Sequence, residues 1–113
     1  MSQKQPYAGI PEEVAEMVRR IVEHFHPDKI ILFGSYARGT AGPDSDVDLL
    51  VIMPVSGSKR SARLAIRAIL RDIDLAKDII VATPDETERY RDQVGTIIRP
   101  ALREGKVLYE RPV

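Results

Sequence analysis

Apolar residues recur along this chain at two different periods. Val14, Met17, Val18, Ile21, Val22 and Phe25 fall at helical spacing, and so do Ala62, Ala65, Ile66, Ile69, Leu70 and Ile73. The pattern predicts two amphipathic helices, each with one stripe turned to a core. Lys29 to Phe33, Val47 to Met53 and Lys77 to Ala82 are short runs rich in β-branched and other apolar residues, which predicts three strands. The middle run is apolar throughout except at Asp48, as expected of a strand covered on both faces.

Punctuation residues set the limits of these elements. Pro11 suits a first helical position, with Glu12 and Glu13 beside the positive helix end, and Pro27 should stop that helix. Gly34 to Ser45 is rich in glycine, serine and proline and reads as a loop, with one helical turn around Tyr36 to Arg38. Thr83-Pro84-Asp85-Glu86 has the form of a capping box with proline at the first helical position. A helix should start there, break near Gly95 and resume to about Arg103, with Pro100 kinking or stopping it and Gly105 as terminator. Val107 to Tyr109 should form a last short strand. Residues 1–10, broken by Pro6 and Gly9, read as a flexible lead, and 11–113 as one domain. The order of helices and strands indicates an α/β domain on a small sheet. The helix between the second and third strands makes that connection long enough for a right-handed crossover.

Composition narrows the chemistry. There are 113 residues, 43% hydrophobic and 30% charged, and no cysteine. The chain is therefore globular in character, without disulfides, zinc–thiolate sites or thiol catalysis. No apolar run is long enough to span a bilayer and the first residues lack the core of a signal peptide, so a cytoplasmic location is expected. The 17 basic and 17 acidic residues cancel. The basic excess that drives phosphate-backbone binding is missing, and stable nucleic-acid binding is not expected. Arg60, Arg63, Arg67 and Arg71 lie on the polar side of the second helix and read as a solvated face. His24 and His26, near a helix end, read as solvated rather than functional.

The informative segment runs from Gly34-Ser35 to Asp46-Val47-Asp48. Residues two apart on a strand share a face, so Asp46 and Asp48 project side by side. Two carboxylates at ~5 Å repel by roughly 3 kcal/mol at an effective dielectric of ~20, unless a cation lies between them. Their oxygens suit Mg2+, which is commonly held by one or two carboxylates plus phosphate oxygens. Gly34 lets backbone approach a phosphate, successive N–H groups of a turn cradle an anion, and the Ser35 hydroxyl adds a donor. Each half alone is a commonplace: an acidic strand mouth, and a turn. Both halves together arise by chance about once in a thousand chains of this length, at ordinary residue frequencies. Asp44, beside Pro43, reads as a turn residue.

Gly34-Ser35, ten residues, then Asp46-Val47-Asp48 resembles the signature of the polymerase-beta-like nucleotidyltransferase superfamily. The small size and the closing Pro100 to Glu110 segment are similar to its minimal nucleotidyltransferase (MNT) branch. The resemblance implies a small mixed sheet flanked by helices. It implies that Asp46 and Asp48 hold Mg2+, two ions in all, which bind the triphosphate of ATP. It also implies a third carboxylate on a later strand, which ligates the catalytic metal and activates the acceptor hydroxyl. Asp78, at the start of the third strand run, is the best match, with Asp74 as competitor. Gly34 and Ser35 would hold the β- and γ-phosphates, and Arg38 either adds charge there or forms a surface salt bridge. In the MNT branch the domain resembles the antitoxin of a pair whose partner is a HEPN toxin, and can transfer AMP to a tyrosine of that toxin. Two alternatives stand beside this reading. One is a binding module that neutralises its partner by occlusion. The other is a small-molecule nucleotidyltransferase that completes its acceptor pocket as a homo-oligomer.

Overall fold

The first apolar stripe forms helix α1 (Glu12–Phe25), which buries Val14, Met17, Val18 and Ile21. Its end is sharper than Pro27 alone would make it. His26 adopts the left-handed conformation, φ 49°, and its N–H returns to the Val22 carbonyl. Both His24 and His26 are exposed, so His26 acts on the backbone rather than in chemistry. The computed structural model describes residues 9–112. Most of the expected lead lies outside that range. Ile10, the last residue of that expected lead, packs on the core.

The strands are β1 (Lys29–Phe33), β2 (Val47–Ile52), β3 (Lys77–Ala82) and β4 (Lys106–Glu110), and they form one sheet in the order β3-β2-β1-β4. β1 is antiparallel to both β2 and β4, whereas β2 and β3 are parallel. Helix α3 (Lys59–Ile69) occupies the β2–β3 connection, as a parallel pair requires. The period-two alternation sorts side chains onto two faces. Ile30, Leu32, Val47, Leu49, Val51, Ile79 and Val81 pack with α1 and α3. Ile31, Phe33, Leu50, Ile52 and Ala82 pack with Ile98 and Ala101 of α5 (Ile98–Glu104). Asp48 and Asp78 fall in phase with the second set, two residues before Leu50 and Ile80, and therefore share the α5 face.

Two expectations near the C-terminus are corrected. The capping box of Thr83 and Glu86 starts α4 (Pro84–Tyr90) as expected. Pro100, however, neither kinks nor stops a helix. It sits in the first turn of α5, where its missing N–H would have had no partner anyway. Gly105 ends α5 with φ −76°, ψ 164°, not in the left-handed conformation of a glycine terminator. Glycine is needed there for space. A Cβ would lie 2.3 Å from the Ala101 carbonyl oxygen, 2.4 Å from Ile31 Cγ2 and 2.8 Å from the Leu32 carbonyl oxygen. Two of these are backbone atoms that cannot rotate away. Gly105→Ala is therefore expected to cost about 1–3 kcal/mol through overpacking, read as a lowered urea midpoint at unchanged slope.

Arg20 ties α1 to the turn after α3. Its guanidinium donates to Glu16, to both oxygens of Asp72 and to the Ile69 carbonyl. Glu16, bonded by Arg19 first and Arg20 second, is lowered from 4.5 to about 2. A carboxyl depressed on folding contributes stability above its unfolded value and loses it as pH falls towards the folded one. Arg20→Ala is thus expected to lower the melting temperature at pH 7. The deficit against wild type should shrink between pH 4.5 and about 2, followed by thermal melts across that range.

Candidate active site

The end of the sheet where β1 finishes and β2 and β3 begin gathers the residues singled out above. Gly34 has φ 77° and ψ −154°, a region open essentially to glycine. That bend turns the chain from β1 into the four-residue helix α2 (Ser35–Arg38), one residue earlier than expected. Tyr36 and Ala37 pack on the core and anchor the turn, while Arg38 is exposed. The first N–H groups of such a turn have no intrahelical partner. The loop then returns through a turn in which Ser45 N–H donates to the Gly42 carbonyl and the Gly42 N–H donates to Ser45 Oγ. Asp44 lies exposed in that turn, as its place beside Pro43 suggested.

Asp48 is the centre of the arrangement. It lies opposite Phe33 across the antiparallel β1–β2 pair and opposite Asp78 across the parallel β2–β3 pair. Its carboxylate rests directly on Gly34: a Cβ at that glycine would stand 2.3 Å from Asp48 Oδ2. The glycine is therefore required by its neighbour as well as by its backbone angles, a role that composition and spacing do not reveal. Asp46, exposed, precedes β2 by one residue. Asp74 is exposed in the loop before β3 and is not the strand partner of Asp48.

The electrostatics follow from this crowding. Partial burial raises the Asp48 carboxyl above its ordinary value, the negative charges of Asp78 and then Asp46 raise it further, and Arg38 offsets part of the rise. None of the three carboxylates takes part in the ion pairs found among the described residues. Like charges within reach of one another, without a cationic side chain bound to them, form a place for a cation. Among the described residues no three acidic or histidine side chains stand close enough to hold a metal ion unaided. The site is an open platform rather than a closed cage. That suits Mg2+, which keeps waters and takes phosphate oxygens alongside one or two carboxylates.

A Gly-Ser bend touching a strand-borne Asp-x-Asp, on a mixed sheet flanked by helices, defines a nucleotidyltransferase. The nucleotidyltransferase domain family matches residues 12–108, and the chain belongs to that family. Two relatives from Methanocaldococcus jannaschii, MJ1305 and MJ0141, both carry the name of protein adenylyltransferase. They are 48% identical over 62 residues and 35% identical over 77 residues. The first match covers 53% of this chain and 40% of the relative, so the chain spans well under half of that protein; the second covers 59% and 78%. A nucleotidyltransferase structure from Sulfolobus solfataricus superposes with a TM-score of 0.60 at 20% identity, covering 98% of this chain and 93% of the other. A toxin–antitoxin complex solved with AMP-PNP superposes with a TM-score of 0.61 at 21% identity, covering 86% and 73%. At such identities the superpositions establish the shared fold. No described helix is long and apolar enough to cross a membrane.

Proposed function

We propose that this chain transfers AMP from ATP to a hydroxyl of a partner protein, a tyrosine of a HEPN-type toxin, and so acts as its antitoxin. The observation that carries the reading is the contact of Asp48 with Gly34 at one end and its register with Asp78 at the other. A triphosphate held at the bend then lies beside the carboxylates. The names of the M. jannaschii relatives and the toxin–antitoxin assembly of a structural neighbour support a protein acceptor.

In this reading Asp46, Asp48 and Asp78 would hold two Mg2+ ions only together with phosphate oxygens and water, since no three such side chains among the described residues could hold one alone, and Ser35 with the free N–H groups of its turn would receive the β- and γ-phosphates. Bound Mg2+ supplies charge neutralisation for the attacking and leaving oxygens of an in-line displacement. Arg38, exposed beside the turn and close enough to act on Asp48, adds positive charge at the triphosphate end. Asp78 orients the acceptor hydroxyl and takes its proton as the oxygen attacks the α-phosphorus. The new P–O bond forms as the bond to the β-phosphate oxygen breaks, and pyrophosphate leaves. A cytoplasmic setting, where ATP and Mg2+ abound, fits this chemistry.

The test is to incubate the chain with the product of a neighbouring HEPN-type gene, Mg2+ and ATP labelled at the α-phosphate. Label should appear on the partner's tyrosine, and both label and neutralisation should be lost with Asp46→Asn. Neutralisation that survives Asp46→Asn would replace this reading with occlusion. Label passed only to small molecules would replace it with a small-molecule transferase.

A further inference from the structure

Helix α3 carries a second stripe, on the side turned away from the core. Its inner side is set by Ile66, buried, with Ala62 and Ile69 half-buried against the core. At 3.6 residues per turn, Leu64 falls opposite these three. Leu64 is 49% exposed, and Ala68, one turn on, is exposed too. Arg60, Arg63, Arg67 and Arg71 flank this pair at spacings of three and four residues, and all four are exposed. Two adjoining grooves, of about 390 Å3 and 330 Å3, run along this side of α3 and share Leu64. Ile79 and Val81 of β3 are buried beneath, and Arg67 occupies the Lys77 carbonyl. A ligand here therefore meets the side chains of α3, not the backbone of the strand.

The charge on this side is of one sign. Between Leu49 and Arg71 lie five of the 17 basic residues and none of the 17 acidic ones. Lys59 is tied to Glu86. The four arginines have no carboxylate partner among the described residues, whereas both arginines of α1 are bonded to Glu16. One exposed leucine signifies little, and neither does one solvated arginine. Four unpaired guanidinium groups around a leucine and an alanine one turn apart have the make-up of a helix–helix seam, an apolar ridge inside a charged rim. A single-stranded nucleic acid is gripped by aromatic side chains on which its bases stack, and neither groove is lined by one. The same face of a second copy would bring charge of like sign.

We infer that this face of α3 is a docking site for an acidic amphipathic helix of a partner protein. Carboxylates at the same three- and four-residue spacing meet the arginines, of which Arg60 to Arg67 span about 10 Å of helix. An apolar side chain of the partner seats on Leu64 and Ala68. Arginine suits the role, because its planar fork binds a carboxylate through two N–H groups. The second groove reaches Lys77, next in the chain to Asp78. A partner held here thus lies at the end of the sheet that carries the carboxylates. In that use the inference rests on the protein-acceptor reading, although docking itself needs no catalysis.

The probe is a fluorescent, hydrocarbon-stapled helical peptide with glutamates three and four residues apart and two leucines on the same face, titrated into the full chain. It should bind at least tenfold tighter than a stapled peptide of the same composition with its glutamates spread round the helix, and tenfold tighter than its lysine counterpart. Arg60→Glu with Arg63→Glu, both exposed on α3, should cost at least tenfold with an unchanged circular dichroism spectrum, and should make the lysine counterpart the tighter ligand. Leu64→Ser should cost at least threefold in low and high salt alike, since an apolar contact is not screened. Four results would overturn the inference: no binding by the aligned peptide, equal binding by the spread one, full affinity in Leu64→Ser, or dodecauridylate binding as tightly as the peptide. A dimer of the chain alone in sedimentation, dissolved by the double substitution, would give the face to a second copy and overturn it too. Peptide docking without AMP transfer to a partner would sink the proposed function alone, and transfer without peptide docking would sink this inference alone.

Discussion

Asp48→Asn is expected to abolish nucleotidyl transfer, by about 10³-fold or more, and at the same time to raise the melting temperature of the ligand-free protein at pH 7. The first effect follows because the metal's charge stabilisation is worth several kcal/mol in the transition state, and each 1.36 kcal/mol is tenfold in rate. An amide oxygen keeps the shape but loses the charge that holds the cation. The second effect follows from the cost of the charge in the folded chain. Asp48 is partly buried and faces Asp78 and Asp46, which together raise its carboxyl above the ordinary value. A carboxyl raised on folding binds its proton more tightly in the native state. Its contribution is most favourable at pH below the ordinary value of 3.8 and is lost as pH rises through the folded value. The gain of the Asn variant should therefore be present at neutral pH and fade in acid. Paired thermal melts at pH 7 and pH 3, with a transfer assay, check both halves.

Gly34→Ala should damage stability and activity together. The backbone at φ 77°, ψ −154° is strained for any L-residue, at a cost of about 1–3 kcal/mol. The new Cβ would also sit 2.3 Å from Asp48 Oδ2. That oxygen is at the end of a side chain and can swing away, but swinging away removes it from the platform it shares with Asp46 and Asp78. Transfer should fall at least a hundredfold, since displacing a catalytic group by about 1 Å costs on that order. Ser35→Ala, which deletes one donor and no carboxylate, should lose less. A urea melt and initial rates at saturating ATP separate the two consequences.

The sequence carried much of this but not its connections. Period-two alternation put Asp48 on the face opposite Val47, because strand geometry is local, whereas Asp46 precedes β2 by one residue and acts on Asp48 through its charge. The three strand runs and the first stripe appear where the periods place them, whereas α3 ends at Ile69, so Leu70 and Ile73 reach the core from beyond the helix and Ala65 is exposed. The pairing of Asp48 with Asp78 was not legible from spacing, because register between strands 30 residues apart is set by how α3 packs, not by either strand. Pro100 was misread because proline is tolerated in a first helical turn and disruptive in later ones, and the pattern alone did not show which turn it occupied. Gly105 looked like a conformational glycine, whereas Ala101, Ile31 and Leu32 crowd its α-carbon, contacts that exist only in three dimensions. The α3 arginines read as a solvated face because the helix period says which side is polar, not what lies across from it. Arg60 and Arg63 line a groove with Ile79, Ile80 and Val81 of β3, a neighbour that depends on β3 being last in the sheet.

The central claim is that the Gly-Ser bend and the strand carboxylates bind one metal–nucleotide complex. Calorimetric titration of AMP-PNP tests it most directly, with Mg2+ and in excess chelator, on the wild type and on Asp48→Asn. The account predicts saturable one-to-one binding by the wild type with Mg2+, weakened at least tenfold by chelation and likewise by the substitution. Equal affinity in all of these titrations would contradict it.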